Sequence, residues 1–438
     1  MKSPSSISNM AAITRSLRAL VTAMMPLVPL VSLLAVPVPA LAETQFTGDI
    51  LHGVPVITHL SLEDVPNSAV TRYYLRVPSV SGGWDLHLPL FVARGPAETL
   101  QTGKKLSVSG SIHGDEVSPV RVTQKLLGLL EGLDCGALNG TVIGMPTLNP
   151  IGNYMSQRNY YTASGSGTFT NVNRIFPGED PEEGASGPDG HAWMIWNSVW
   201  GNTSNVDVAV DFRKSNPFLS MCPLSLLFHR LTPSTDTATS GSRAPLWVYA
   251  DVRVPYVDRM AKLLEPDILK IDAGEPGSIE TTFVEYGIPA ITVELGSARQ
   301  WTAPFIDRAV TFLERLMTDL NILESEEGPY EPDLSNTYTG NVFHALTSRF
   351  GGFVEPLVAV GDDVSVGQTV AYVRNAWGDL LETVVSPVDA RVFQVPSDAA
   401  TEPGRDAVQL VYYSEDIPDC EGGCIISSRD AVGPRKRR

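Results

Sequence analysis

Residues 107–127 read SVSGSIHGDEVSPVRVTQKLL, and the architecture turns on how this stretch is parsed. Small and branched residues make a β-strand that runs out at Ile112. The turn His113-Gly114-Asp115-Glu116 follows, and Pro119 then opens a helix with apolar positions at helical spacing. Strand, tight turn and helix in that order form the unit of an α/β sheet, where ligands sit at the carboxyl ends of strands. An imidazole and a carboxylate three residues apart at such an end can converge on one metal ion. Taken alone, the turn also admits a plainer role, with His113 in the loop and Glu116 favoured by the dipole of the following helix.

The same texture extends in both directions. Strand-like runs at 86–93, 105–112, 141–148, 206–212, 245–251 and 290–296 alternate with helical patterns at 118–133, 254–266 and 303–323. They predict a catalytic α/β domain over 43–323. The acidic, proline-bearing stretch ESEEGPYEPDLSN (324–336) reads as a linker. From 337 to 417, short strands separated by Gly361, Gly367 and Gly378 predict a small all-β module. Its Val-Gly-Asp-Asp-Val and Val-Gly-Gln-Thr-Val turns resemble those of biotinyl- and lipoyl-type domains, without the lysine that such domains modify. Residues 418–438 form a basic-ended tail.

The 438 residues carry a formal charge of −17 and are 43% hydrophobic, a folded composition whose acidity excludes a nucleic-acid backbone as partner. Four cysteines fall in no zinc-finger spacing. Residues 1–42 hold Lys2, Arg15 and Arg18, no acid, a long apolar run and a closing Ala40-Leu41-Ala42, the pattern of a secretory signal peptide. Its removal takes away three positive charges, brings the total to −20, and leaves a secreted chain with no membrane anchor. That route permits glycosylation at Asn139 and Asn202 and a Cys420–Cys424 bridge.

Downstream of the turn stand Leu148-Asn-Pro-Ile-Gly152, Arg158, Asn171-Val-Asn-Arg-Ile-Phe-Pro-Gly178 and, much later, Val293-Glu294-Leu-Gly296. In this order the motifs resemble the succinylglutamate desuccinylase/aspartoacylase family of the zinc carboxypeptidase clan, over roughly residues 80–320. The resemblance implies a zinc-carboxypeptidase-like α/β sandwich around a mixed sheet, with a small C-terminal all-β barrel-sandwich-like domain. It assigns His113 and Glu116 as two zinc ligands and Arg158 as the group that polarises the scissile carbonyl. Asn173 and Arg174 become the grip on a substrate carboxylate, and Glu294 the general base acting on zinc-bound water.

A catalytic zinc takes three protein ligands, and the family draws the third from a later strand ending in Asp-Leu-His. Here the matching strand, VDVAVDF (206–212), ends in Asp211-Phe212 and continues with Arg213, which has no lone pair for a metal. Asp211 is assigned as the partner that orients the ligands. His87, His191 and His344 read as structural, and His229 is a weak substitute ligand. The segment 213–235, RKSNPFLSMCPLSLLFHRLTPST, contains no acid and fits neither flank. Its residues can be encoded with a GTAAGT donor, a pyrimidine tract, a CTGAC branch sequence and an ACAG acceptor. In-frame splicing would leave VDVAVDF-His-TATSG and restore the histidine. We read the segment as a retained intron; the rival reading is a genuine insertion in a member that has lost zinc.

Together these point to a secreted zinc-dependent deacylase that hydrolyses an amide of an N-acyl amino acid or similar small carboxylate substrate. As translated, it is expected to be impaired by the missing ligand and by displacement of Asp211. The alternatives are a secreted metallocarboxypeptidase acting on peptides and a non-catalytic binding protein that keeps the fold. Oligomeric state stays open.

Overall fold

The computed structural model describes residues 43–80, 83–162, 168–215, 242–297, 299–326, 328–415 and 425–427. The leader at 1–42, His229 and the Cys420–Cys424 pair lie outside them. Four strands precede the one that leads into the motif turn: β1 (Gln45–Leu51), β2 (Val54–His59), β3 (Ala69–Val80) and β4 (Trp84–Arg94). The sequence pattern flags only the last, because β1 leaves Phe46 and Ile50 exposed and β3 alternates its apolar residues with arginines. Next come α1 (Thr99–Thr102), β5 (Lys104–Gly110), α2 (Val117–Gly132), β6 (Gly140–Met145) and α3 (Pro150–Met155). The hairpin β7 (Tyr160–Thr162) and β8 (Thr168–Thr170) stands apart, followed by α4 (Gly187–Ser198) and β9 (Val208–Ser215). The lobe continues through β10 (Ser242–Arg243), β11 (Leu246–Ala250), α5 (Val257–Leu263), β12 (Ile268–Ile271), α6 (Ile279–Glu285), β13 (Ala290–Ser297), α7 (Ala303–Asp319) and β14 (Tyr338–Gly340).

Eleven strands make one mixed sheet in the order β1-β2-β3-β4-β6-β5-β9-β13-β11-β12-β14. Its centre is parallel: β6, β5, β9 and β13 run the same way, so their carboxyl ends open together. Because side chains alternate across a strand, each face has its own character. Val108, Val210, Phe212, Ile291, Val293 and Leu295 pack on α2, α5 and α7. On the other face, Ser107, Ser109, Asp211, Arg213, Thr292 and Glu294 replace them at the strand ends, beside the core built by α4 and α6. Each fully buried large apolar side chain contributes about 1.5–3 kcal/mol, so the two apolar cores hold the sheet. The polar cluster costs desolvation instead.

Arg213, Lys214 and Ser215 do not interrupt β9, contrary to the reading that the segment 213–235 fits no flank. The strand continues through them, with Arg213 paired to Glu294 and Ser215 to Ser297 of β13. Backbone pairing is indifferent to side chain, and the hydrogen-bonding edge of β13 extends that far. The rest of the segment lies outside the described residues.

The later strands are β15 (Val342–Thr347), β16 (Gly352–Pro356), β17 (Asp363–Val364), β18 (Thr369–Arg374), β19 (Leu380–Val385), β20 (Ala390–Pro396), β21 (Ala400–Thr401), β22 (Asp406–Tyr412) and β23 (Ile425–Ser427). They form two sheets, β10-β20-β22-β15-β23 with β17 on β20, and β19-β18-β16-β21. The anticipated turns at Gly361, Gly367 and Gly378 have φ of 91°, 80° and 89°, a region that favours glycine. Two strands cross between lobes. β14 extends the large sheet beside β12, while β10 pairs with β20. Trp247, Ile268, Phe343, Phe393 and Val411 close a shared apolar cluster. Residues 328–336 pack against the first lobe, where the Tyr330 hydroxyl donates to Glu265 at 2.7 Å. No described helix is long and apolar enough to cross a membrane.

Candidate active site

The turn after β5 is held by the next motif along the chain. A Cβ on Gly114 would fall 1.9 Å from the backbone carbon of Gly152, so the two loops touch through glycines. Asn149 Nδ2 donates to the Ile112 carbonyl at 3.2 Å, and Asn153 Nδ2 to the Gly114 carbonyl at 2.8 Å. The Gly114 N–H donates to the Arg158 carbonyl at 3.1 Å, which fixes Arg158 beside the turn. LNPIG is thus a brace rather than a source of ligands.

On this frame His113 and Glu116 are both buried, with Nδ1 2.7 Å from Glu116 Oε1. Arg158 Nη1 donates to the same oxygen at 2.9 Å. His113 Nε2 lies 3.0 Å from the Asn171 side chain, a partner the sequence reading missed. Burial, then the Arg158 and Arg213 charges, push the imidazole well below its ordinary range, so His113 is neutral. Burial also raises the carboxyl groups of Glu116 and Glu294, which oppose each other's ionisation.

Asn173 and Arg174 sit in the next loop. Asn173 Oδ1 accepts from the Ile279 N–H at 3.1 Å and caps the start of α6, leaving Nδ2 without a protein partner among the described residues. Arg174 Nη1 donates to the Asn173 carbonyl at 2.8 Å, and Nε stands 3.6 Å from Glu275. Of the anticipated set, His113, Glu116 and Arg158 touch directly. Glu294 joins them across the sheet, and Arg174 is close enough to Arg158 and Arg213 for their charges to disfavour its own. His87 lies in β4 and His344 in β15. His191 in α4 bonds the Leu148 carbonyl at 2.6 Å, its pKa lowered to about 4 by burial.

The centre is occupied by a group that the sequence reading places outside it. Arg213, 5% exposed, pairs through Nε with Asp211, which also accepts from Ser109 Oγ at 2.8 Å. Asp211 is therefore held in register rather than displaced by the residues after it. Burial opposes the guanidinium charge, but Asp211 and Glu294 outweigh it and hold Arg213 cationic. The neighbouring Lys214 donates to the Gln300 carbonyl and is lowered to about 8 by burial. Glu280 in α6, 1% exposed, also faces the centre; burial, against the pull of Arg213, raises it to about 8. No motif announced Arg213 or Glu280. The register of β9 on β13 brings in the first, and the docking of α6 the second.

Zinc is the group the fold family implies, and the residues can be tested against it. Two ligands on one tetrahedral zinc, with bonds of about 2.0–2.1 Å, stand about 3.3 Å apart. His113 Nδ1 and Glu116 Oε1 stand 2.7 Å apart, and the third position carries a guanidinium. Among the described residues no three His, Cys, Asp or Glu side chains converge as a metal site. The described residues do not fit a three-ligand zinc. Among the described residues, buried polar atoms nonetheless remain without a protein partner around this centre: Glu116 Oε2, Glu294 Oε2, Glu280 Oε1, Arg158 Nε and Arg213 Nη2. Such atoms mark a site built to meet something else.

Residues 102–195 match the family model described as the succinylglutamate desuccinylase/aspartoacylase catalytic domain. No curated protein matches the chain. Among solved structures, an aspartoacylase family protein from Mesorhizobium loti is similar at 18% identity, over 85% of this chain and 99% of that one, with a TM-score of 0.58. The product-bound ectoine utilization protein EutE (DoeB) from Ruegeria pomeroyi is similar at 18% identity, over 80% and 98%, with a TM-score of 0.61. A succinylglutamate desuccinylase/aspartoacylase from Rhodobacter sphaeroides is similar at 15% identity, over 79% and 96%, with a TM-score of 0.60. Residues 102–195 are therefore similar to the succinylglutamate desuccinylase/aspartoacylase catalytic domain, within a chain that shares the fold of these solved structures.

Proposed function

We propose that this fold serves a secreted amide hydrolase, a deacylase of N-acyl amino acids or similar small carboxylate-bearing substrates. The observation that carries the reading is the convergence of His113, Glu116, Arg158 and Glu294 where parallel strands end. Arg158, whose Nε has no partner among the described residues, would polarise a carbonyl. Arg174 is the anchor for the carboxylate. Glu294, at a buried strand end, would shuttle the proton, taking it from the attacking water and passing it to the leaving amine. Zinc belongs to the form that completes the ligand set, held by His113, Glu116 and the histidine gained when 213–235 is spliced out.

The chain as translated is the impaired form. Amplifying the transcript across Phe212–Thr237 checks its origin: messages that all retain the segment refute the intron. Activity is checked with the chain lacking 213–235 and carrying Asp236→His. It is expected to hydrolyse N-acyl amino acids in preference to peptides and to bind about one zinc, unlike the longer chain. Equal turnover in the two forms would refute the reading. The alternative of a binding protein that keeps the fold draws its support from Arg213, which closes the ligand set with a cation.

A further inference from the structure

We propose that Arg213 is a resident cation in the third-ligand position, so that this chain gathers its site carboxylates around a guanidinium and takes up no zinc there. The obstacle is the single residue Arg213, and a neutral histidine in its place admits the ion.

Three observations carry this. First, β9 does not fray after Phe212. It pairs residue for residue with β13 as far as Arg213, setting that residue opposite Glu294 on the site face rather than in solvent, and resumes after a register shift at Ser215–Ser297. Second, Arg213 is tied down from below, with Nε on Asp211 and Asp211 on Ser109, so the guanidinium cannot swing out without leaving Asp211 as a lone buried charge. Third, among the described residues the carboxylate oxygens Glu116 Oε2 and Glu294 Oε2 and the guanidinium's own Nη2 lack protein partners, while His113 and Glu116 bond each other. A divalent ion drawn in by those oxygens would be held close to a buried positive charge that cannot lose its proton. Arginine supplies one positive charge where zinc would bring two, and supplies no lone pair. The centre is partly neutralised and closed to metal.

The proposal rests on the deacylase reading only for the identity of the ligand positions. Its test uses the full chain and zinc sulfate alone. After chelator stripping and desalting, zinc is counted by plasma mass spectrometry and its affinity measured by isothermal titration. The unsubstituted chain is expected to retain under a tenth of a zinc, unchanged by His113→Ala. Arg213→His is expected to bind about one zinc at least a hundredfold more tightly, and to lose it again when His113→Ala is added. Zinc in the unsubstituted chain that His113→Ala removes would overturn the proposal. So would an Arg213→His protein that is folded by circular dichroism yet takes up none. Should that variant fail to fold, the unsubstituted chain with and without His113→Ala decides: no His113-dependent zinc supports the proposal, and any overturns it. Zinc uptake by Arg213→His with no hydrolysis of any N-acyl amino acid would sink the deacylase reading and leave this one standing.

Discussion

Two buried ion pairs sit on strands of the same sheet, and they are built alike. Arg213 pairs with Asp211 on β9; Lys270 pairs with Asp272 from β12. In each the partners are two residues apart, on one face of an extended segment. Around Lys270 the pairing is closed. The Phe343 ring covers the ammonium with its centroid 5.0 Å away, and Asp272 Oδ1 accepts from the Gly274 N–H at 2.9 Å. Around Arg213 three more acids, Glu116, Glu280 and Glu294, crowd in, and several polar atoms find no protein partner among the described residues. Burying an ion pair is therefore not what distinguishes a site in this fold. The unmet hydrogen-bonding capacity around it is.

The contrast can be broken by substitution. Lys270→Ala leaves Asp272 buried with one backbone partner and is expected to cost about 3–5 kcal/mol by urea unfolding. It should leave the zinc content of the Arg213→His variant unaltered. A cost below about 1 kcal/mol would mean that the closed pair is no more structural than the open one.

Glu280 gives a smaller effect with a defined pH sign. Its folded pKa, about 8, lies above the ordinary value of 4.5, so the native state holds the proton more tightly than the unfolded chain. Its contribution to stability is complete below about pH 4.5 and is lost as pH rises to about 8. Glu280→Gln, which cannot titrate, should gain on the unsubstituted chain across that window, by about 2–4 kcal/mol at most. Thermal unfolding at pH 5, 7 and 9 reads it, and a gap that stays constant with pH would remove Glu280 from the charged centre.

The smallest change sharpens the comparison. Ser109→Ala deletes one hydrogen bond to Asp211, worth about 1–2 kcal/mol while Arg213 still holds the carboxylate. In the Arg213→His background the same deletion should cost more, and the difference measures the coupling within the cluster.

The sequence disclosed what is local. His113 and Glu116 belong to one turn, Arg158 and Asn173-Arg174 to short motifs, and the central strands and α7 announce themselves by period. What it concealed depends on pairing between distant segments. Arg213 reads as the first residue of a foreign stretch until β13 is laid beside β9. Glu280 looks like an ordinary acid in a first helical turn until α6 docks on the site face. Asn171 appears one step removed from the Asn-Arg motif, yet it is the residue that reaches His113. The outer strands β1 and β3 escaped because their apolar positions are sparse or exposed, and propensity speaks softly toward a sheet edge.

The exchange of β10 and β14 between lobes sets the order in which this protein can be made. The far edge of the large sheet is completed only by residues beyond 336, and Trp247 finds Phe343 and Phe393 only after they are synthesised. A nascent chain that has finished its hydrolase-like half still shows an open backbone rim beside β12 and an uncovered indole. Both invite pairing with other chains. The two halves therefore mature together, and severing them at the linker would leave each missing a strand that the other keeps.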